Sequence, residues 1–138
     1  MPSWPESRKN QELAISSVSA NKWVFVKVFT STAECFEHLE SKGFASVVTS
    51  PHDKRGAPSI TLTNGSFTES KLAVWFGNES KGISDEAVVR ATKCVKLDMY
   101  GYVESLNLSV CAGIVLAEVV KQRRAYCEKK KSGQIVKN

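Results

Sequence analysis

Histidine is scarce in this chain: only His38 and His52 occur, and neither stands at metal-ligand spacing from Cys35, Cys94, Cys111 or Cys127. The cysteines form no Cys-x-x-Cys pair, so no metal centre is expected, zinc included. Two scattered imidazoles also give no defensible Ser/His/Asp or Cys/His arrangement. Neither Gly-x-Gly-x-x-Gly nor a P-loop occurs, which removes the usual dinucleotide and nucleoside-triphosphate sites. No apolar run approaches the roughly 20 residues needed to cross a bilayer, so a membrane protein is not expected. The opening ten residues lack the apolar core of a secretory signal and do not form a basic amphipathic helix, leaving the cytoplasm as the default location, with an organelle or the nucleus open. In that setting the thiols are expected to be reduced, with Cys35 and Cys111 acting as small apolar side chains on helices.

What is present fits one domain without a linker. At 138 residues the chain is long enough to hold a core without disulfides or metal. The net charge of +5 is concentrated at the C-terminal end, where Lys121, Arg123, Arg124, Lys129, Lys130, Lys131 and Lys137 face only Glu128. Such a run reads either as a solvated helix end, where cations favour the helix dipole, or as a contact for a polyanion such as RNA. Arg8 and Lys9 make a second, smaller basic cluster.

Hydrophobic patterning alternates between strands and helices. In residues 23–29 valines lie on one face and aromatics on the other, which predicts a parallel strand covered on both sides. Ser31-Thr32-Ala33-Glu34 has the form of a capping box and Gly43 stands where a left-handed cap belongs, predicting a helix over 32–42. A strand is expected over 45–49, followed by a turn-rich stretch over 50–70 with at most a short strand. The apolar run at 72–76 predicts a central strand that delivers Gly77 to the carboxyl edge of the sheet. Ser84 followed by Asp85 and Glu86 opens a short helix to about residue 91, and 94–97 is the last strand. A helix is expected over 107–126. Its first half is apolar nearly all round, so it should pack on its own sheet and on another subunit. The alternation argues for an α/β fold with a parallel sheet flanked by helices.

Two glycine-punctuated loops leave strand ends. Gly77 allows close backbone approach and Gly101 permits a positive φ, so exposed amides and carbonyls there could bond an adenine edge and ribose hydroxyls; a plain turn is the alternative for each glycine alone. Taken jointly, Phe76-Gly77-Asn78-Glu79 with Gly82-Ile83-Ser84, then Leu97, Met99 and Gly101 ahead of Ser105-Leu106-Asn107-Leu108-Ser109, resemble both C-terminal motifs of the SpoU/TrmH family of RNA ribose 2′-O-methyltransferases. Similarity extends upstream through residues 19–23 and the capped helix.

The resemblance implies a deep trefoil knot, formed as the segment around Leu106 and the helix after it thread the preceding loop, a rare exception to unthreaded connections. It implies one domain over residues 1–127, with the cofactor-binding knot at about 72–127, and a basic tail over 128–138. It further implies a homodimer, S-adenosyl-L-methionine as cofactor and RNA as partner, tRNA at guanosine ahead of rRNA. Carried over by position, Gly77, Leu97, Met99 and Leu106 match cofactor-binding residues. Glu79, Ser105 and Asn107 match the polar catalytic residues, and Arg8, Lys9, Arg123 and Arg124 are the RNA-contact candidates. The family's first motif, Asn-x-Gly-x-x-x-Arg in type, would lie before residue 1, so an N-terminally truncated form is expected: a fragment, a short isoform or a catalytically impaired relative. Asp98 stands where the family usually has proline. The competing expectation is a non-catalytic dimerising module that binds RNA or a partner subunit.

Overall fold

Four parallel strands and three helices make up the part of the chain described by the computed structural model, which covers residues 24–50, 59–78, 80–97 and 107–133. The chain divides into one unit, Met1–Thr30, and a second, Ser31–Asn138. In the first unit, residues 24–30 form no regular strand, and Phe25 is fully exposed while Val24, Val26 and Val28 are largely so. The strand expected over 23–29 is therefore corrected for every residue described. Alternation supplies two apolar faces, but a strand also needs a ladder neighbour, and the local pattern does not provide one.

In the second unit, helix α1 spans Thr32–Ser41. Ser31 caps it by accepting a hydrogen bond from the Glu34 amide at 3.1 Å. Its end is a Schellman motif: the Phe44 amide donates to the Leu39 carbonyl at 3.0 Å, the Gly43 amide to that of Glu40 at 2.9 Å, and Gly43 takes φ of 77°. Strand β1 (Ala45–Ser50) follows, then the short β2 (Ser59–Thr61) and β3 (Leu72–Trp75). Helix α2 is Asp85–Arg90, with Ser84 accepting from the Ala87 amide at 3.3 Å, and β4 is Lys93–Lys96. Helix α3 runs Leu108–Lys131, about five residues beyond the expected end.

The sheet order is β2-β4-β1-β3, with every pairing parallel. Strand β3, expected to be central, lies at an edge of this sheet among the described residues; β1 and β4 hold the middle. Side chains alternate across the sheet with period two. Val48 and Cys94 join Phe36, Ile83, Ala87 and Val88 under α1 and α2, with Trp75 packed against them. On the other face Val47 and Val95 join Phe67, Leu97 and the α3 residues Val115 and Val119. Both faces are thus covered, which explains why these strands lack the polar alternation of a half-exposed sheet.

Helix α3 also holds the loop before β3. The Gln122 carboxamide accepts from the Phe67 amide at 3.0 Å and donates to the Gly65 carbonyl at 3.0 Å, imitating a strand neighbour. Arg123 donates to the carbonyls of Glu69 and Ser70, the latter at 3.0 Å. From β4, Lys93 pairs with Glu69 at 2.7 Å and donates to the Ser66 carbonyl.

Candidate functional site at the carboxyl edge of the sheet

Because all four strands are parallel, the loops leaving them emerge at one edge of the sheet. Consecutive strands β3 and β4 straddle β1 in that sheet, so their exits stand about 10 Å apart on either side of the end of β1. Crevices at such carboxyl ends are where open parallel sheets bind ligands. The edge is tied together by the Thr49 hydroxyl, which donates to the Trp75 carbonyl at 2.9 Å, and by the Leu97 amide, which donates to the Ser50 carbonyl at 3.3 Å.

After β3 the chain makes a tight loop. The Gly82 amide donates to the Asn78 carbonyl at 2.9 Å, and the Asn78 side-chain oxygen accepts from the Ser80 amide at 3.1 Å and the Ser80 hydroxyl at 3.2 Å. Gly82 takes φ of 68°, a conformation that side chains oppose. A Cβ built on Gly77 would lie 2.1 Å from the Gly82 carbonyl carbon and 2.2 Å from the Ile83 nitrogen. The close approach that Gly77 permits is therefore to the loop's own backbone. Glycine shapes this loop before any ligand enters.

After β4, Leu97 is buried in the core beside Phe67 and Val115. Its side chain anchors the loop and its amide is bonded to β1, so its carbonyl leads into the loop that follows. Asn107 caps α3, its side-chain oxygen accepting from the Ser109 amide at 2.9 Å and the Ser109 hydroxyl at 2.6 Å. Glu79, Met99, Ser105, Leu106, Arg8 and Lys9 lie outside the described residues, as do Asp98, Gly101 and the segment expected to thread the knot. Of the two described basic candidates, Arg123 is bound to loop carbonyls and Arg124 is exposed. The sequence reading missed the Gln122–Arg123 clip. Its one available signal was Gln122 falling three residues after Val119 and seven after Val115, on the buried side of α3.

Glu118 begins the charged half of α3. Hydrogen bonds from Gln122 and then Lys121, with the Lys121 charge, hold its carboxyl below the ordinary range, partly opposed by desolvation. A depressed folded-state pKa stabilises the fold above the unfolded carboxylate value, and that contribution is lost as pH falls through the lowered one. Glu118→Gln should therefore lessen the drop in thermal midpoint on acidification over that window, read by circular dichroism. An identical acid limb in both proteins would count against these bonds. Burial raises the Cys111 thiol pKa, in keeping with a packing role on α3, and no disulfide occurs among the described residues. Among the described residues no cluster of metal-ligating side chains occurs, and no helix is long and apolar enough to cross a membrane.

An α/β unit whose parallel strands β3 and β4 end at one carboxyl edge, on either side of β1, is the class this arrangement defines. A family model for the SpoU rRNA Methylase family matches residues 4–117, and the chain belongs to that family. Among curated relatives, the tRNA (guanosine(18)-2′-O)-methyltransferase of Thermus thermophilus is 35% identical over 109 residues, covering 78% of this chain and 53% of the relative. Among solved structures, the TrmH/SpoU tRNA modifying enzyme of A. aeolicus superposes with a TM-score of 0.69 at 30% identity, covering 82% of this chain and 55% of that one. The SpoU methyltransferase AviRb of Streptomyces viridochromogenes, solved with AdoMet, gives 0.58 at 26% identity, covering 69% and 37%. The chain spans about half the length of the curated relatives it matches.

Proposed function

We propose that this chain forms the cofactor-binding part of an S-adenosylmethionine-dependent RNA ribose 2′-O-methyltransferase acting on tRNA, at guanosine. The observation that carries the reading is the pair of loops at one sheet edge, after β3 and after β4, whose residues follow the order and spacing of the family's two C-terminal motifs. The names of the Thermus and Aquifex proteins support tRNA, and the AdoMet in AviRb supports the cofactor.

The residues fit such a cofactor in kind. Leu97 and Phe76 belong to one apolar cluster at the edge, suited to an adenine face. Gly77, Leu97, Met99 and Leu106 would hold the adenosine, with Leu106 following through the knotted segment. Glu79 and Ser105 would supply polar groups that orient the ribose hydroxyl and help remove its proton, and Asn107, its side-chain oxygen held by the cap, would offer its side-chain nitrogen as an orienting donor. The bound cofactor supplies an electrophilic sulfonium methyl. Exposed Val110, Ile114, Leu116 and Val120 on α3 support a homodimer, since a second copy would cover them.

Calorimetric titration of the 138-residue chain with S-adenosylmethionine and S-adenosylhomocysteine tests this. Micromolar binding is expected, abolished in Leu106→Arg while circular dichroism and light scattering still report a folded dimer. Equal affinity in that variant would refute the adenine placement. A second reading, a non-catalytic dimerising module, is supported by the exposed Val110, Ile114, Leu116 and Val120 of α3, which call for a covering copy whether or not a cofactor binds. A folded dimer that binds no cofactor would select it.

A further inference from the structure

The family model ends at residue 117, yet α3 continues without a break to Lys131. This added length carries Lys121, Arg123, Arg124, Lys129, Lys130 and Lys131 against Glu118 and Glu128. Contacts fix which of these cations face outward. Val115, Val119, Gln122 and Arg123 hold one side of the helix against the core and the loop before β3. Lys121, Arg124, Glu128 and Lys131 follow at spacings of three, four and three, which places them together on the opposite side. All four are exposed. Lys121 is partly neutralised by Glu118 at 3.3 Å, whereas the Arg124 and Lys131 side chains meet no partner among the described residues.

We propose that this outward stripe of α3 is a phosphate-binding face for RNA, with Arg124 and Lys131 as its main contacts and Lys121 as an auxiliary one. The proposal rests on the RNA-modifying reading above and gives its RNA partner a docking surface outside the family domain. Lys121 and Lys131 are roughly 15 Å apart along the axis, enough to follow several phosphates of one strand. Because Gln122 and Arg123 lock the helix in rotation, the cations are presented with little loss of helix freedom on binding. Arg123 itself is a positioning residue: its guanidinium is engaged by the carbonyls of Glu69 and Ser70, so it is not one of the phosphate contacts.

Fluorescence anisotropy with an unmodified tRNA transcript over a salt series tests the proposal on the full chain. For the double variant Arg124→Ala/Lys131→Ala, the slope of log affinity against log salt should become shallower by roughly 1.4 to 1.8, with weaker binding at every salt. Arg123→Gln should lower the thermal midpoint but keep the slope. If the cations serve only the helix dipole, the double variant will lose helicity or melting temperature with an unchanged slope, and the proposal fails. It also fails if the chain binds no tRNA at low salt, or binds only anionic lipid vesicles. Cofactor titration of the same double variant separates the two readings: cofactor affinity should be unchanged there, and absence of cofactor binding in the parent chain would overturn the methyltransferase reading while leaving a salt-dependent tRNA interaction in place.

Discussion

Gly77→Ala is expected to break the loop between β3 and α2. The new methyl would sit 2.1 Å from the Gly82 carbonyl carbon and 2.6 Å from its oxygen, and both are backbone atoms with no rotamer to move. Relief requires the strand end or the Asn78–Gly82 bridge to open. Overpacking of this kind costs about 1–3 kcal/mol, and here the loss falls on a loop that needs its shape to meet a ligand. The expected outcome is faster hydrogen exchange at the Gly82 amide, a lowered thermal midpoint and lost cofactor binding. Gly82→Ala is the informative contrast. Its Cβ would meet nothing within 4 Å, so only the positive φ opposes it, at about 1–2 kcal/mol. If the two variants behave alike, the crowding at Gly77 is not what shapes the loop.

Phe36→Ala should have the largest effect on stability. Phe36 is fully buried beneath α1 and stacks on Trp75 with ring centroids 4.1 Å apart and planes 10° from parallel. Arg90 lies over its ring at 5.2 Å, held by its ion pair with Glu40 at 3.1 Å. Removing the ring empties the centre of one of the two cores and strips Trp75 of its stacking partner. Such truncations cost about 3–5 kcal/mol, a large share of the roughly 5–15 kcal/mol that holds a domain folded. A fall of roughly 10 °C or more in thermal midpoint is expected. Phe25→Ala is the matched control: the ring is fully exposed, and its loss should shift stability by no more than about 0.5 kcal/mol. A comparable loss for Phe25 would show that residues 24–30 are covered in solution, as their apolar pattern suggested.

That pattern marks where reading the sequence ran out. Caps were legible because they are local: Ser31, Gly43, Ser84 and Asn107 each act within a few residues, and each ends or starts a helix as expected. The strands over 45–50 and 72–75 were legible because each puts apolar residues on both faces, Val47 and Val48 in the first and Leu72 to Trp75 in the second. Which strand neighbours which was not, because register depends on residues far apart in the chain, such as Val48 beside both Trp75 and Cys94. Hence β3 looked central and lies at an edge of the described sheet.

The candidate site divides in the same way. Motif order and spacing alone point to Gly77, Leu97 and Asn107, since those residues punctuate strand ends and a helix start. Their physical roles came from packing. Gly77 yields to its own loop, Leu97 is a buried anchor, and Asn107 spends its side-chain oxygen on a cap. Arg123 and Arg124, adjacent and alike in composition, were indistinguishable as a pair of basic residues. A helical turn of about 100° per residue carries one inward to the Glu69 and Ser70 carbonyls, more than 50 positions back in the chain, and leaves the other facing water. Short-range chemistry thus settles element type, helix ends and motif membership, whereas contacts between distant residues settle which of the same side chains are structural and which remain free to meet a partner.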